Sequence, residues 1–140
     1  MTSDVVIREC RREEAPDVLR LWREADATVS VTDTADDVMT AIECPAALLL
    51  VAVAEGRIIG TVIGTFDGWR GNIYRMAVHP DYQRQGVARD LLGGLESFFD
   101  SRGVKRITAL VESGHSLAVG FWKAADYQLL EGMARYYRNR

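Results

Sequence analysis

The chain has 140 residues, 48% of them hydrophobic and 26% charged, the size and composition of one ordinary globular domain, so a single domain over residues 1–140 is expected. Seventeen basic against twenty acidic side chains leave a net charge of -3, which argues against nucleic acid or an anionic membrane as a partner. The longest apolar run, residues 46–54, is far shorter than the roughly 18–20 residues of a membrane span, and Asp4, Arg8 and Glu9 stand where a signal peptide would be apolar, so a cytoplasmic location is expected.

In chain order, the alternating run 4–9 predicts a first strand. Over residues 12–27, Ala15, Val18, Leu19, Trp22 and Ala25 recur at helical spacing, and Pro16 falls in the first turn, where its missing N–H removes no hydrogen bond. A second helix is predicted over 36–43, with Asp33 or Thr34 as cap and Pro45 as stop. Residues 47–54 read as a buried strand, Glu55-Gly56 as a turn and 57–66 as its hairpin partner. A second turn, 67–71, leads to a strand over 72–79. The period then changes to helical over 86–101, back to a strand over 104–111, and to a helix over 117–125. A last strand is predicted over 129–137. Three consecutive antiparallel strands followed by strand–helix–strand imply a mixed, mostly antiparallel central sheet with helices on both faces, an α/β (α+β) fold.

Cys10 and Cys44 lack metal-ligand spacing and the chain has two histidines, so reduced cysteines and no metal are expected. The most informative stretch is the strand-to-helix junction Met76-Ala77-Val78-His79-Pro80-Asp81-Tyr82-Gln83-Arg84-Gln85-Gly86-Val87-Ala88-Arg89. The first turn of a helix presents unpartnered N–H groups and about half a positive charge. Gly86 and Ala88 leave room for a phosphate to approach them, and Arg84 and Arg89 can add charge-assisted bonds. No Gly-x-x-x-x-Gly-Lys-Ser/Thr or Gly-x-Gly-x-x-Gly segment follows a strand, which removes the best support for nucleoside triphosphate or dinucleotide folds.

Residues 78–88 resemble the acetyl-CoA motif of the GNAT superfamily of N-acetyltransferases, with Gln83, Gly86 and Ala88 at its three defining positions. The element order resembles the family along nearly the whole chain, most closely its small single-domain bacterial members. The resemblance implies the acyl-CoA N-acyltransferase fold and acetyl-CoA as cosubstrate. Its pantetheine arm would lie against Met76, Ala77 and Val78, and its pyrophosphate on the amides from Arg84 through Gln85, Gly86, Val87 and Ala88 to Arg89. A primary amine, on a small molecule or a protein N-terminus, would attack the thioester directly, with a strand amide near Ala77 or Val78 steadying the oxyanion. Dimerisation is also a family expectation.

A second family motif aligns with residues 115–127. Ala118 and Phe121 match; His115 replaces an Asn that contacts the cofactor, Asp126 replaces a Gly, and Trp122 replaces a Tyr that protonates the departing thiolate. An indole N–H donates a hydrogen bond but does not titrate usefully, so Trp122 cannot be that acid. For the general base, Asn72 and Leu110 stand where family members carry Glu, which leaves Glu112, Asp67, Tyr74 and water relays as candidates. The catalytic set is therefore Val78, Glu112 and Tyr74. Asp67, Trp69 and Arg70 on the 67–71 turn are candidates to wall an acceptor pocket. The alternative reading is a non-catalytic acyl-CoA-binding or sensor domain of the same fold.

Overall fold

The structure, a computed structural model, describes residues 4–112 and 114–140. The chain divides into a larger compact unit ending at Leu110 and a smaller one from Val111 to Arg140. The larger unit is built on a five-stranded sheet. Its strands are β1 (Val6–Glu9), β2 (Ala47–Ala54), β3 (Arg57–Phe66), β4 (Gly71–Val78) and β5 (Ile107–Ala109), and they lie side by side in that order. The first three pairings are antiparallel; β5 joins β4 in parallel after the crossover helix α3 (Val87–Asp100). The mixed, mostly antiparallel sheet of the sequence reading is thus observed.

One sheet face is covered by α1 (Ala15–Glu24) and α2 (Ala35–Glu43). The buried seam of α1 is Ala15, Val18, Leu21 and Trp22, close to the predicted face. A short 3-10 turn at Arg12–Glu14 takes up the start of the predicted first helix. The Thr34 hydroxyl accepts the Asp37 N–H at 3.1 Å and so caps α2, satisfying one of the donors that a helix start leaves orphaned. These helices close a core with Val38, Leu49, Val51 and Ile58.

On the opposite face α3 lies unusually close to the sheet. A Cβ on Gly64 would stand 2.7 Å from a Leu95 methyl, and one on Gly71 2.8 Å from the Phe99 ring. The helix meets the sheet half-way: a Cβ on Gly94 would stand 2.7 Å from Leu50, whereas one on Gly93 would meet nothing. Each helical glycine costs about 1 kcal/mol relative to Ala, but Leu91, Leu95 and Phe99 are wholly buried at about 1.5–3 kcal/mol apiece. Burial wins.

The last parallel strand is shorter than predicted. Lys105 and Arg106 are exposed and only Ile107–Ala109 pair with β4. In the smaller unit, α4 (Ser116–Ala124) is capped by His115, whose Nδ1 accepts the Ala118 N–H at 3.3 Å. The final strand predicted over 129–137 does not form; the segment is irregular, and Leu129, Met133, Tyr136 and Tyr137 are exposed. Its apolar residues come in adjacent pairs rather than alternating. Gly132 turns the chain with φ +80°, and an isolated strand has no ladder to hold it. No helix among the described residues is long and apolar enough to cross a membrane, and no cluster of three or more His, Cys, Asp or Glu among them could hold a metal ion.

Candidate active site

The site is built along β4. Its register against β3 slips between Thr61 and Ile63, so that Tyr74 faces Ile63, Ala77 faces Thr61, and an extra residue bulges out between them. Arg75 sits in the bulge with φ +54°, a conformation that a side-chain-bearing residue adopts at a cost. The bulge is tied down from the α1 face. The Trp22 Nε1–H donates to the Thr61 hydroxyl at 2.9 Å, and that hydroxyl donates to the Arg75 carbonyl at 3.1 Å. The Arg75 guanidinium lies 4.7 Å over the Trp22 ring and pairs with Asp33 at 2.8 Å, which anchors the α1–α2 connection to the strand.

On its other edge β4 has a partner for only part of its length. Gly71, Asn72 and Ile73 pair with Ile107, Thr108 and Ala109, Leu110 N–H reaches the Ile73 carbonyl at 3.1 Å, and the Thr108 hydroxyl donates to Asn72 Oδ1 at 3.0 Å. From Tyr74 to Val78 the ladder with β5 stops. The half-buried backbone of Met76, Ala77 and Val78 therefore borders a strand edge that carries no ladder with β5 among the described residues, where an extended chain with amide groups could hydrogen-bond as another strand would.

This edge runs straight into a turn shaped for an anion. Gln83 donates its side-chain amide to the Val78 carbonyl at 3.2 Å, and Gln85 donates to the Asp81 carbonyl at 3.3 Å. Arg84 and Gly86 both take positive φ, +63° and +84°, left-handed positions of the kind that backbone anion nests use. The first helical bond of α3 runs from Asp90 N–H to the Gly86 carbonyl, so the amides of Val87, Ala88 and Arg89 precede the helical ladder. A Cβ on Gly86 would meet no atom within 4 Å; the space over the turn is open. Arg84 and Arg89 are exposed beside it, while Val87 is buried and Ala88 half-buried. His79 locks the turn to α1: its Nε2 meets Glu24 at 2.8 Å and its Nδ1 accepts the Asp81 N–H at 3.1 Å. That pattern places the imidazole proton on Nε2.

The remaining predicted residues fall elsewhere. Tyr74 is half-buried and, by its pairing with Ile63, faces the α1–α2 side. Asp67, Trp69 and Arg70 occupy the turn before β4, at the opposite end of an eight-residue strand from Val78, about 25 Å away by strand rise. The Asp67 carboxylate accepts the Trp69 and Arg70 N–H groups at 2.9 and 2.7 Å. Those bonds lower its pKa and make it a weak base. Glu112, His115 and Trp122 belong to the smaller unit. There Glu112 is exposed, and its carbonyl accepts the His115 N–H. Trp122 is buried, edge-on to Phe121 at 5.2 Å and Tyr127 at 4.9 Å, the placement of a packing residue.

The sequence reading missed Thr61, Asp33 and Arg75. One signal was present: in Ile73-Tyr74-Arg75 strict alternation would put Arg75 on the buried face of Ile73. A charge cannot stay there unpaired, so a bulge must turn it round.

The chain is similar in sequence and in fold to known proteins. The family model described as acetyltransferase (GNAT) family matches residues 11–127. A protein of Yersinia pestis (strain Pestoides F) described as an acetyltransferase is 31% identical over 122 residues, 87% of this chain and 86% of its own. Among solved structures, an aminoglycoside acetyltransferase from an uncultured soil metagenomic sample, in complex with trehalose, superposes with a TM-score of 0.79 at 18% identity. That match covers 97% of this chain and 96% of that one. The PaiA N-acetyltransferase of Thermoplasma acidophilum in complex with coenzyme A gives 0.78 at 16% identity, over 87% and 88% of the two chains. At such identities these two matches speak for the fold.

Proposed function

Since the chain belongs to the GNAT family of acetyltransferases, and is therefore an enzyme that uses acetyl-CoA, we propose that it moves the acetyl group to a primary amine by direct attack on the thioester. The observation that carries the reading is the continuity between the β4 edge at Met76–Val78, beyond the end of the β5 ladder, and the turn at Arg84–Arg89. An extended amide-bearing arm ending in a diphosphate needs those two features in that order. The fit is good: strand amides for the arm, pre-ladder helix amides and Arg84 and Arg89 for the diphosphate, and Gly86 leaving the approach clear.

In the step itself the amine nitrogen bonds to the thioester carbon, the carbon–sulfur bond breaks, and the thiolate takes up a proton. The N–H of Ala77 or Val78 is assigned to the developing oxyanion, where a fixed donor acts without reorganisation. Tyr74, on the same strand, keeps the role the sequence gives it, a candidate for the general base. Water receives the amine proton, the relay that the sequence leaves open beside the side-chain candidates. Glu112, His115 and Trp122, the sequence candidates that belong to the smaller unit, are given no part in this step.

The test is release of coenzyme A thiol by purified protein across a panel of amines, from peptide N-termini to polyamines. Aminoglycosides are included because the soil fold neighbour is an aminoglycoside acetyltransferase. Turnover with at least one class is expected, with Tyr74→Phe lowering kcat by about 10²–10⁴-fold at little change in KM. Gly86→Glu, which puts bulk and negative charge into the turn, should abolish coenzyme A binding in calorimetry while leaving the circular dichroism unchanged. Binding without turnover on any amine would instead favour a non-catalytic acyl-CoA sensor.

A further inference from the structure

The end of the sheet remote from the β4–α3 junction holds a second concavity, about 430 Å³ in volume, lined by Phe66, Trp69, Arg70, Arg102, Lys105 and Arg106 among others. Four cations thus converge on one groove of a chain whose net charge is -3. None of the four forms an ion pair among the described residues. The nearby Asp67 carboxylate is engaged by the amides of its own turn. Two of the guanidiniums rest over rings: Arg70 lies 4.0 Å over Trp69 and Arg102 3.8 Å over Phe98. Contact of this kind limits their freedom; Arg102 also donates its Nη1–H groups to the Phe98 carbonyl at 3.3 Å and the Ser101 hydroxyl at 3.2 Å, which leaves its other donors for a ligand. Trp69 is nonetheless 72% exposed, so a large part of the indole is open to solvent.

We propose that this groove binds a nucleoside polyphosphate, with its base stacked on Trp69 and its phosphates on Arg102, Lys105 and Arg106. The volume lies in the range of small-molecule pockets, which favours a nucleotide over a long polyanion. An extended nucleic-acid strand or acidic peptide would also leave the groove and meet the acidic remainder of the surface. An aromatic plane beside clustered cations matches a ligand that is flat at one end and highly charged at the other. The site is separate from the acetyl-CoA cradle by the length of β4. It has a route to that strand: the Asn72 amide reaches Asp67 at 3.5 Å, and Asn72 in turn holds Thr108 where β4 and β5 last pair.

The test is titration of the full chain with ATP in magnesium-free buffer, read by heat and by indole fluorescence. Trp22 and Trp122 are buried, so the stacked base should quench the Trp69 signal. Saturable quenching is expected, retained in Gly86→Glu protein and absent in Trp69→Phe. The Arg102→Ala/Arg106→Ala variant, altered at exposed positions, should lose affinity by about tenfold or more. Inorganic triphosphate should bind without quenching, and adenosine should not bind. The proposal is overturned by absence of saturable heat, by loss of binding in Gly86→Glu, which would place ATP in the acetyl-CoA cradle, or by unchanged affinity in the double variant. Tighter binding of a glutamate-rich peptide or a single-stranded oligonucleotide than of ATP would also overturn it.

Discussion

Thr61→Val tests the bolt that holds the β4 bulge. The Thr61 side chain is wholly buried, and its hydroxyl is the middle member of the relay from Trp22 Nε1–H to the Arg75 carbonyl, with steps of 2.9 and 3.1 Å. Valine keeps the shape, so the change subtracts hydrogen bonds with almost no cavity. It strands the indole N–H in the core, at about 1–3 kcal/mol, and removes one bond from the half-buried carbonyl, about 1 kcal/mol more. The expected loss is therefore about 2–4 kcal/mol in urea unfolding at unchanged m. Trp22→Phe should cost a similar amount, and the double variant much less than the sum, because the two residues share one relay. The bulge also orients the β4 amides, so KM for acetyl-CoA should rise in Thr61→Val. A loss below 1 kcal/mol, or strict additivity in the double variant, would refute the relay as the support of the bulge.

Glu14 accepts two bonds from the Arg8 guanidinium, at 2.8 and 2.7 Å, and one from the Arg11 N–H. Together, Arg8 foremost, they bring its pKa from an ordinary 4.5 down to about 2. Because the folded value is the lower one, this stabilisation is present above pH 4.5 and is lost as pH falls toward 2. For a partly solvated pair it amounts to about 1–2 kcal/mol, so wild type and Glu14→Gln should converge in urea unfolding across that window. Burial, reinforced by the Glu14 charge, pushes the Cys10 thiol up to about 12, whereas Cys44 is exposed. A thiol reagent at neutral pH should label one cysteine quickly and the second only on unfolding. Gly64→Ala should lose about 1–3 kcal/mol in thermal or urea melts, since its Cβ would press on the buried Leu95.

The sequence made most of the scaffold legible because its signals are local. The apolar run 47–54 and its β-rich partner 57–66, the Glu55-Gly56 turn and the apolar stripe of α3 each depend on residues a few positions apart, and all stand in the structure. The junction at residues 83–88 was legible for the same reason. Non-local facts were not. How far β5 follows β4 depends on where two strands diverge, so 104–111 shrank to Ile107–Ala109; the last predicted strand had apolar content but no ladder. Distance along a strand also escaped the reading. Trp69 and its neighbours look close to Val78 in sequence, yet an extended strand places them at the far end of the sheet.

An interrupted ladder is also a hazard. Among the described residues the β5 ladder ends before Met76–Val78, so that stretch of the sheet behaves like a border, and strand borders invite another chain to add itself. The kink at Arg75 defends against this: a residue at φ +54° breaks the regular row of N–H and C=O groups that an incoming strand would need. That irregularity makes the edge a poor template for a second polypeptide, so a single backbone torsion guards the sheet against self-association.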